Sequence, residues 1–336
     1  MLFYIVYIWL LWMIMLSVVL IDYSVEYFLQ SLLEVVFCPL IFLYFFVVVK
    51  KKSYLFDDAK IMFFLLLICN FIFYYYVYIY RNIGSLFSSP LLNVVYYLLL
   101  LLPWMLIIKN KVYRYIGIVI IAAAVVLSMK RTAFIAFTLS LLIYYLFEQI
   151  RLRLIISMRL LVQILFLVLA LYVIYSYVEQ QTWGFFEKRM ISSFDDKGSG
   201  RLDIYMQVFR LLNKNTFGEW IYGHGHNTLR IYNVMDGYDL LSAHNDWLEI
   251  LFDYGIVGII IYLFLHLTLI RYTFILIKRR SVFGPPMAAS YTILFIMSLT
   301  SHLVLYASYF GYLMAFWGAL LAFSSGFEKK ALSQPL

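Results

Sequence analysis

Ser242-Ala243-His244-Asn245-Asp246-Trp247-Leu248-Glu249-Ile250-Leu251-Phe252-Asp253-Tyr254-Gly255-Ile256-Val257-Gly258 joins a long polar stretch to an apolar run that continues to about residue 270. A run of this length fits a helix that crosses a bilayer, which needs about 20 apolar residues. His244 through Leu251 reads as a helix, with His244, Leu248 and Leu251 on one face at i, i+4 and i+7. Gly255 and Gly258, three apart, are expected to let another helix approach closely. A histidine with polar neighbours at a membrane entrance is a place where polar chemistry can be done.

Composition extends that reading to the whole chain. Of 336 residues, 65% are hydrophobic and 13% charged, against about half and a quarter in soluble domains. The apolar runs are continuous rather than alternating, which argues against a β-barrel. The expected fold is an all-α polytopic membrane protein. The net charge of +8 does not indicate nucleic acid, because the basic residues cluster between apolar runs and orient a membrane protein. No short apolar run with a cleavage site precedes the first span, so no removable signal peptide is expected. Cys38 and Cys69 both fall inside apolar runs and form no disulfide framework.

Ten spans can be drawn, at about 3–21, 31–49, 61–80, 91–108, 115–129, 132–147, 160–178, 248–270, 286–305 and 308–323. The fifth and sixth are short, and a single helix over 115–147 is the alternative. Charge decides between them. Lys50 to Lys52, then Lys109, Lys111 and Arg114, then Arg151, Arg153 and Arg159, then Arg271 and Lys278 to Arg280, and finally Lys329 and Lys330 follow alternate spans. With ten spans all five clusters face the cytoplasm, as do both termini. The organisation is then helices 1–7 over 1–178, an outward-facing loop over 179–246, helices 8–10 over 247–323 and a tail over 324–336.

Two features break the pattern. Lys130 and Arg131 fall on the outer side, where basic residues are functional suspects. The polar loop is long enough to be functional. It contains an amphipathic helix, Leu202 to Leu212, with Tyr205, Val208, Phe209 and Leu212 on one side. Arg201 opens that helix after Gly198-Ser199-Gly200, where helix amides attract anions and a guanidinium reinforces them. Arg210, Arg230, Lys130 and Asn245 are further substrate-binding candidates. His224, His226 and His244 lack a strong metal-ligand spacing and no cysteine completes a set, so no metal and no cofactor is expected. Glu34, near the outer end of the second span, is assigned no role.

Three motifs carry a family resemblance. They are Ser128-Met129-Lys130-Arg131-Thr132-Ala133; Gly198-Ser199-Gly200-Arg201 with Tyr222-Gly223-His224-Gly225; and Ala243-His244-Asn245-Asp246-Trp247-Leu248-Glu249. In this order, over roughly 115–260, they resemble the O-antigen ligase and O-antigen polymerase superfamily. The chain departs from it in ten spans where twelve are usual, and in Lys130 where a smaller polar residue is usual. The resemblance implies a GT-C-like glycosyltransferase of the bacterial inner membrane, with an outward-facing and metal-independent active site. The implied donor is an undecaprenyl-pyrophosphate-linked oligosaccharide. Arg131 and Arg201 are then expected to neutralise the leaving pyrophosphate, and His244 to take the acceptor hydroxyl's proton. Membrane lipid, a chain-length regulator and a flippase of the same pathway are the implied partners. A polymerase is preferred over a ligase on the resemblance around His244. A lipid-linked glycan flippase is the non-enzyme alternative, disfavoured because no internal repeat is found and the polar features lie on one side.

Overall fold

The computed structural model describes residues 2–19, 25–82, 93–128, 130–152, 176, 201–229, 242–301, 303–304 and 307–332. Its elements are α1 Leu2–Val19, α2 Val25–Lys51, α3 Leu55–Asn82, α4 Val95–Leu99, α5 Leu102–Leu106, α6 Lys111–Leu127, α7 Arg131–Arg151, α8 Arg201–Leu212, α9 Phe217–Tyr222, α10 Asp246–Lys278, α11 Gly284–Thr300 and α12 Ala307–Leu332. The described residues contain no strand. Leu55–Ile79 of α3, α7 and α10 are long and apolar enough to cross a membrane. Away from their ends, their exposed faces are mostly apolar. In α10, Ile256, Ile260, Leu263, Leu267, Ile270 and Phe274 form one exposed stripe, while Tyr262, Leu265 and Leu269 on the other side are buried. A stripe of this kind, spaced by alternating threes and fours, suits a helix with lipid on one side and protein on the other.

The chain forms two compact units. Unit 1 comprises residues 1–45, 193–272 and 294–318, and unit 2 comprises 46–192, 273–293 and 319–336. In unit 1, Trp9 of α1 packs its ring against Tyr262 and Phe310, at centroid distances of 5.8 and 6.4 Å. In unit 2, Trp104 stacks on Phe63 at 4.1 Å, and the Tyr74 hydroxyl donates to the Ala124 carbonyl at 2.9 Å.

Two sequence readings meet the structure here. The break at Lys130-Arg131 is present: α6 ends at Leu127 and α7 begins at Arg131. Ser128 makes the turn, its hydroxyl donating to the Val125 carbonyl at 2.7 Å and accepting the Lys130 amide at 3.2 Å. The expected single helix over 91–108 is instead two short helices, α4 and α5. Pro103, early in α5, has no amide to continue the helix, and its ring crowds the carbonyl four residues back. The span expected at 160–178 and the loop segments 179–200 and 230–241 lie outside the described residues, apart from Ser176.

Candidate functional site

The junction at 242–258 lies in unit 1. α10 does not begin at His244, as the i, i+4 pattern suggested; it begins at Asp246. Asn245 caps it. Its Oδ1 accepts the amides of Trp247 at 2.9 Å and Leu248 at 3.2 Å, and its Nδ2 donates to the Leu299 carbonyl at 3.2 Å. First-turn amides have no partner inside a helix, so an asparagine that can accept from them sets the boundary. His244 therefore stands outside the helix, half-buried, with φ at 50°. That left-handed backbone is uncommon for a residue with a side chain and concentrates at functional sites. Asp246, fully buried, accepts the amides of Leu303 at 2.9 Å and Val304 at 3.2 Å. The turn carrying His244 is thus fixed to both the start of α10 and the connection between α11 and α12.

α10 is broken nine residues farther on, at Gly255. Gly255 has φ 64° and ψ −164°, a region open essentially to glycine alone. The break frees carbonyls that a continuous helix would use. Phe252 O accepts the His224 amide at 3.2 Å, and Asp253 O accepts the Gly225 amide at 2.8 Å. The Asp253 carboxylate binds the same loop, accepting the amides of Asn227 at 2.7 Å and Leu229 at 3.2 Å and the Thr228 hydroxyl at 3.0 Å. A Cβ on Gly223 would strike the backbone of Asp253 and Tyr254; one on Gly255 would strike that of Ile221. The expected role of Gly255 and Gly258 in helix approach is corrected: Gly255 lets a loop backbone touch the broken helix. A Cβ on Gly258 would meet Tyr254 and Ile250 of α10 itself.

The loop histidines are built into this joint. His226 is buried, with Nδ1 2.5 Å from the Tyr254 hydroxyl and Nε2 3.4 Å from the Glu34 carboxylate of α2. With Tyr254 donating to Nδ1, the Nε2 proton faces Glu34. His224 stacks on Phe252 at 4.5 Å and places Nε2 3.0 Å from the Asn215 amide oxygen. Burial pushes its pKa below the usual histidine value, and the Glu219 carboxylate, 3.8 Å away, opposes that shift. Glu219 closes a capping box with Thr216 at the start of α9, and the Thr216 amide holds its own pKa down.

α8 confirms the amphipathic helix but shifts its face. Val208, Leu211 and Leu212 are buried against Ala243 and Phe252, with Leu248 and Leu251 beside them, whereas Phe209 is exposed. Positions 208, 211 and 212 form the i, i+3, i+4 stripe, and Phe209 lies off it. Arg201 lies in α8, which is described from that residue on; Arg210 is exposed in its last turn, where a cation complements the helix dipole. Arg230 lies outside the described residues. Arg201 and His244 thus share unit 1, where α8 packs on residues flanking His244.

Arg131 and Lys130 belong to unit 2. Lys130 occupies the cap position of α7 with an extended backbone, and its carbonyl accepts the Phe134 amide at 3.0 Å. Arg131 is the first helical residue, and the first turn of α7 contains no acid. Glu34, His226, Asp253 and Tyr254 were not singled out as site residues in the sequence. An ionisable residue such as Glu34 in an apolar run is the signal that points to such a group.

The O-antigen ligase family model matches residues 116–263, a stretch that holds Arg131, Arg201 and His244. The chain is similar to the O-antigen ligase and polymerase superfamily, as its motifs indicate. The match supports a glycosyltransferase-like function of ligase or polymerase type, with a lipid-linked glycan as substrate and a membrane as setting. A search of curated proteins finds no match.

Proposed function

We infer that the protein is a metal-independent polysaccharide polymerase acting on undecaprenyl-pyrophosphate-linked repeat units at the outer face of the bacterial inner membrane. The acceptor's sugar hydroxyl attacks the anomeric carbon of the donor glycan. The new glycosidic C–O bond forms as the bond from that carbon to the pyrophosphate oxygen breaks, and polyprenyl pyrophosphate leaves. His244 takes the hydroxyl proton, and Arg131 and Arg201 neutralise the charge that grows on the leaving group.

The observation that carries this reading is the placement of Arg131, the first residue of α7 after Lys130 at its cap position. A cation there opposes the helix dipole, and an anion at the same amides reverses the penalty. Arg201 lies in α8, which packs beside Ala243 next to His244. His244 adds a base in a turn held by Asn245 and Asp246. Asn245 serves here chiefly to position that turn; Lys130 and Arg210 supply peripheral positive charge. A chain-length regulator and a flippase would act on either side of this step.

Ligation of finished polymer to a lipid A core is the second reading, favoured by the description of the matching family. Surface glycan length separates the two in cells expressing His244→Ala at normal protein levels. Polymerase loss leaves single repeat units on the surface lipid, and ligase loss leaves long chains on the carrier alone. Normal long surface chains would remove His244 from the mechanism.

A further inference from the structure

Unit 2 holds a cavity of about 590 Å³ lined by both basic and aromatic side chains, with Lys60 Nζ 5.1 Å from the centre of the Phe56 ring. Lys60, Lys109, Arg114, Arg151 and Arg279 line it, against the carboxylates of Asp57 and Glu148. Glu148 pairs with Arg151 through two bonds, at 2.8 and 2.5 Å, and Asp57 pairs with Lys60. Arg114 is held by the Ile108 carbonyl, which accepts from Nε at 2.9 Å and Nη2 at 2.6 Å, and Nη1 lies 3.4 Å from the Tyr144 hydroxyl. Those oxygens fix the guanidinium without neutralising it. The lining therefore carries three more cations than carboxylates.

The rest of the lining is mostly apolar. Phe56 stacks on Phe323 at 4.4 Å, and Phe283 meets both edge-on at 5.7 and 5.6 Å. Leu106, Ile107 and Leu276 extend this surface. An inorganic anion would satisfy the cations and leave the aromatic rings wet. An anion attached to a hydrocarbon chain satisfies both.

The cavity's place along α7 separates it from the candidate active site. Tyr144, Glu148 and Arg151 line it, whereas Arg131 opens the same helix. At about 1.5 Å of rise per residue, the two ends lie about 30 Å apart, one hydrocarbon thickness. We propose that this cavity binds the phosphate head of an anionic lipid, at the membrane face opposite Arg131, with the lipid chain against the aromatic rings. Basic pockets between membrane helices on the cytoplasmic side bind such heads. The proposal rests on the membrane reading of the chain and not on its glycosyl-transfer chemistry.

The test uses the purified full-length protein in neutral detergent. The probes are dioctanoyl phosphatidylglycerol, dioctanoyl phosphatidylcholine, farnesyl phosphate and inorganic phosphate, followed by titration calorimetry or native mass spectrometry. Phosphatidylglycerol should bind at least about tenfold more tightly than phosphatidylcholine, because charge-assisted hydrogen bonds are worth roughly that factor each. The paired substitution Lys109→Gln with Arg279→Gln should remove that preference. Val282→Trp, at the cavity wall, should weaken every lipid probe, and circular dichroism checks that each variant folds. Stronger displacement by farnesyl phosphate assigns the site to an isoprenoid carrier, and the reverse to a bilayer phospholipid; both support the shared chemistry. Equal affinity for the two phospholipids, unchanged binding in the variants, or equally effective competition by inorganic phosphate would overturn the proposal.

Discussion

Removing the Asp253 side chain should release the loop at 223–229 from α10. Its carboxylate accepts two backbone amides, those of Asn227 and Leu229, and shares the Thr228 hydroxyl with the Gly225 carbonyl. In Asp253→Ala the hydroxyl keeps its carbonyl, but both amides lose their acceptor. A buried donor left without an acceptor costs about 1–3 kcal/mol, so two cost about 2–6 kcal/mol. Asp253→Asn keeps one acceptor oxygen and should cost about half as much. Denaturant unfolding of the purified protein in detergent measures the loss. Limited proteolysis within 213–229 reports where it occurs, cleavage rising about tenfold per 1.4 kcal/mol if the loop opens ahead of the whole. If Asp253→Ala unfolds within about 1 kcal/mol of wild type, with no new cleavage, Asp253 does not hold the joint.

Gly255→Ala should fail more severely, since it strains a glycine-only backbone by about 1–3 kcal/mol and drives a methyl group into Ile221; folded yield by size exclusion reads this directly. His224 supplies a pH dependence. Its pKa is lowered from 6.5 by burial, so the unfolded chain binds its proton first. The stabilisation from neutral His224 is complete above pH 6.5 and falls as the pH drops below it; unfolding midpoints between pH 7 and 5 should show a steeper loss than in His224→Gln. Arg131→Lys and Arg201→Lys should each slow polymerisation of a lipid-linked repeat unit by about 10²–10³ if the contact forms in the transition state. Full activity in both lysine variants, at equal protein level, would leave the arginines as surface charges.

Membrane character, the helix break at Lys130-Arg131 and the amphipathic segment near 201–212 were legible in the sequence, because each rests on composition or period. The start of α10 was not. His244, Leu248 and Leu251 satisfy helical spacing, but spacing does not register that Asn245 takes the amides of Trp247 and Leu248. The two short helices at 95–106 were concealed by a continuous apolar run in which Pro103 was the lone contrary signal. Gly255 was read as a small residue between helices because its positive φ belongs to a three-dimensional joint. The partners of that joint, Asp253 and the loop at 223–229, lie too far apart in sequence for a local pattern to connect them.

The break at Gly255 also bears on biogenesis. A transmembrane segment with open carbonyls is costly to leave in hydrocarbon, where no water can serve them. Here the amides that answer those carbonyls sit 28 residues earlier, in Gly225 and His224. They leave the ribosome before α10 does. The acceptors on α10 therefore meet donors already synthesised on the same side of the nascent chain. Closure over so short a separation needs little search. Every donor and acceptor of these two bonds is therefore synthesised before α11.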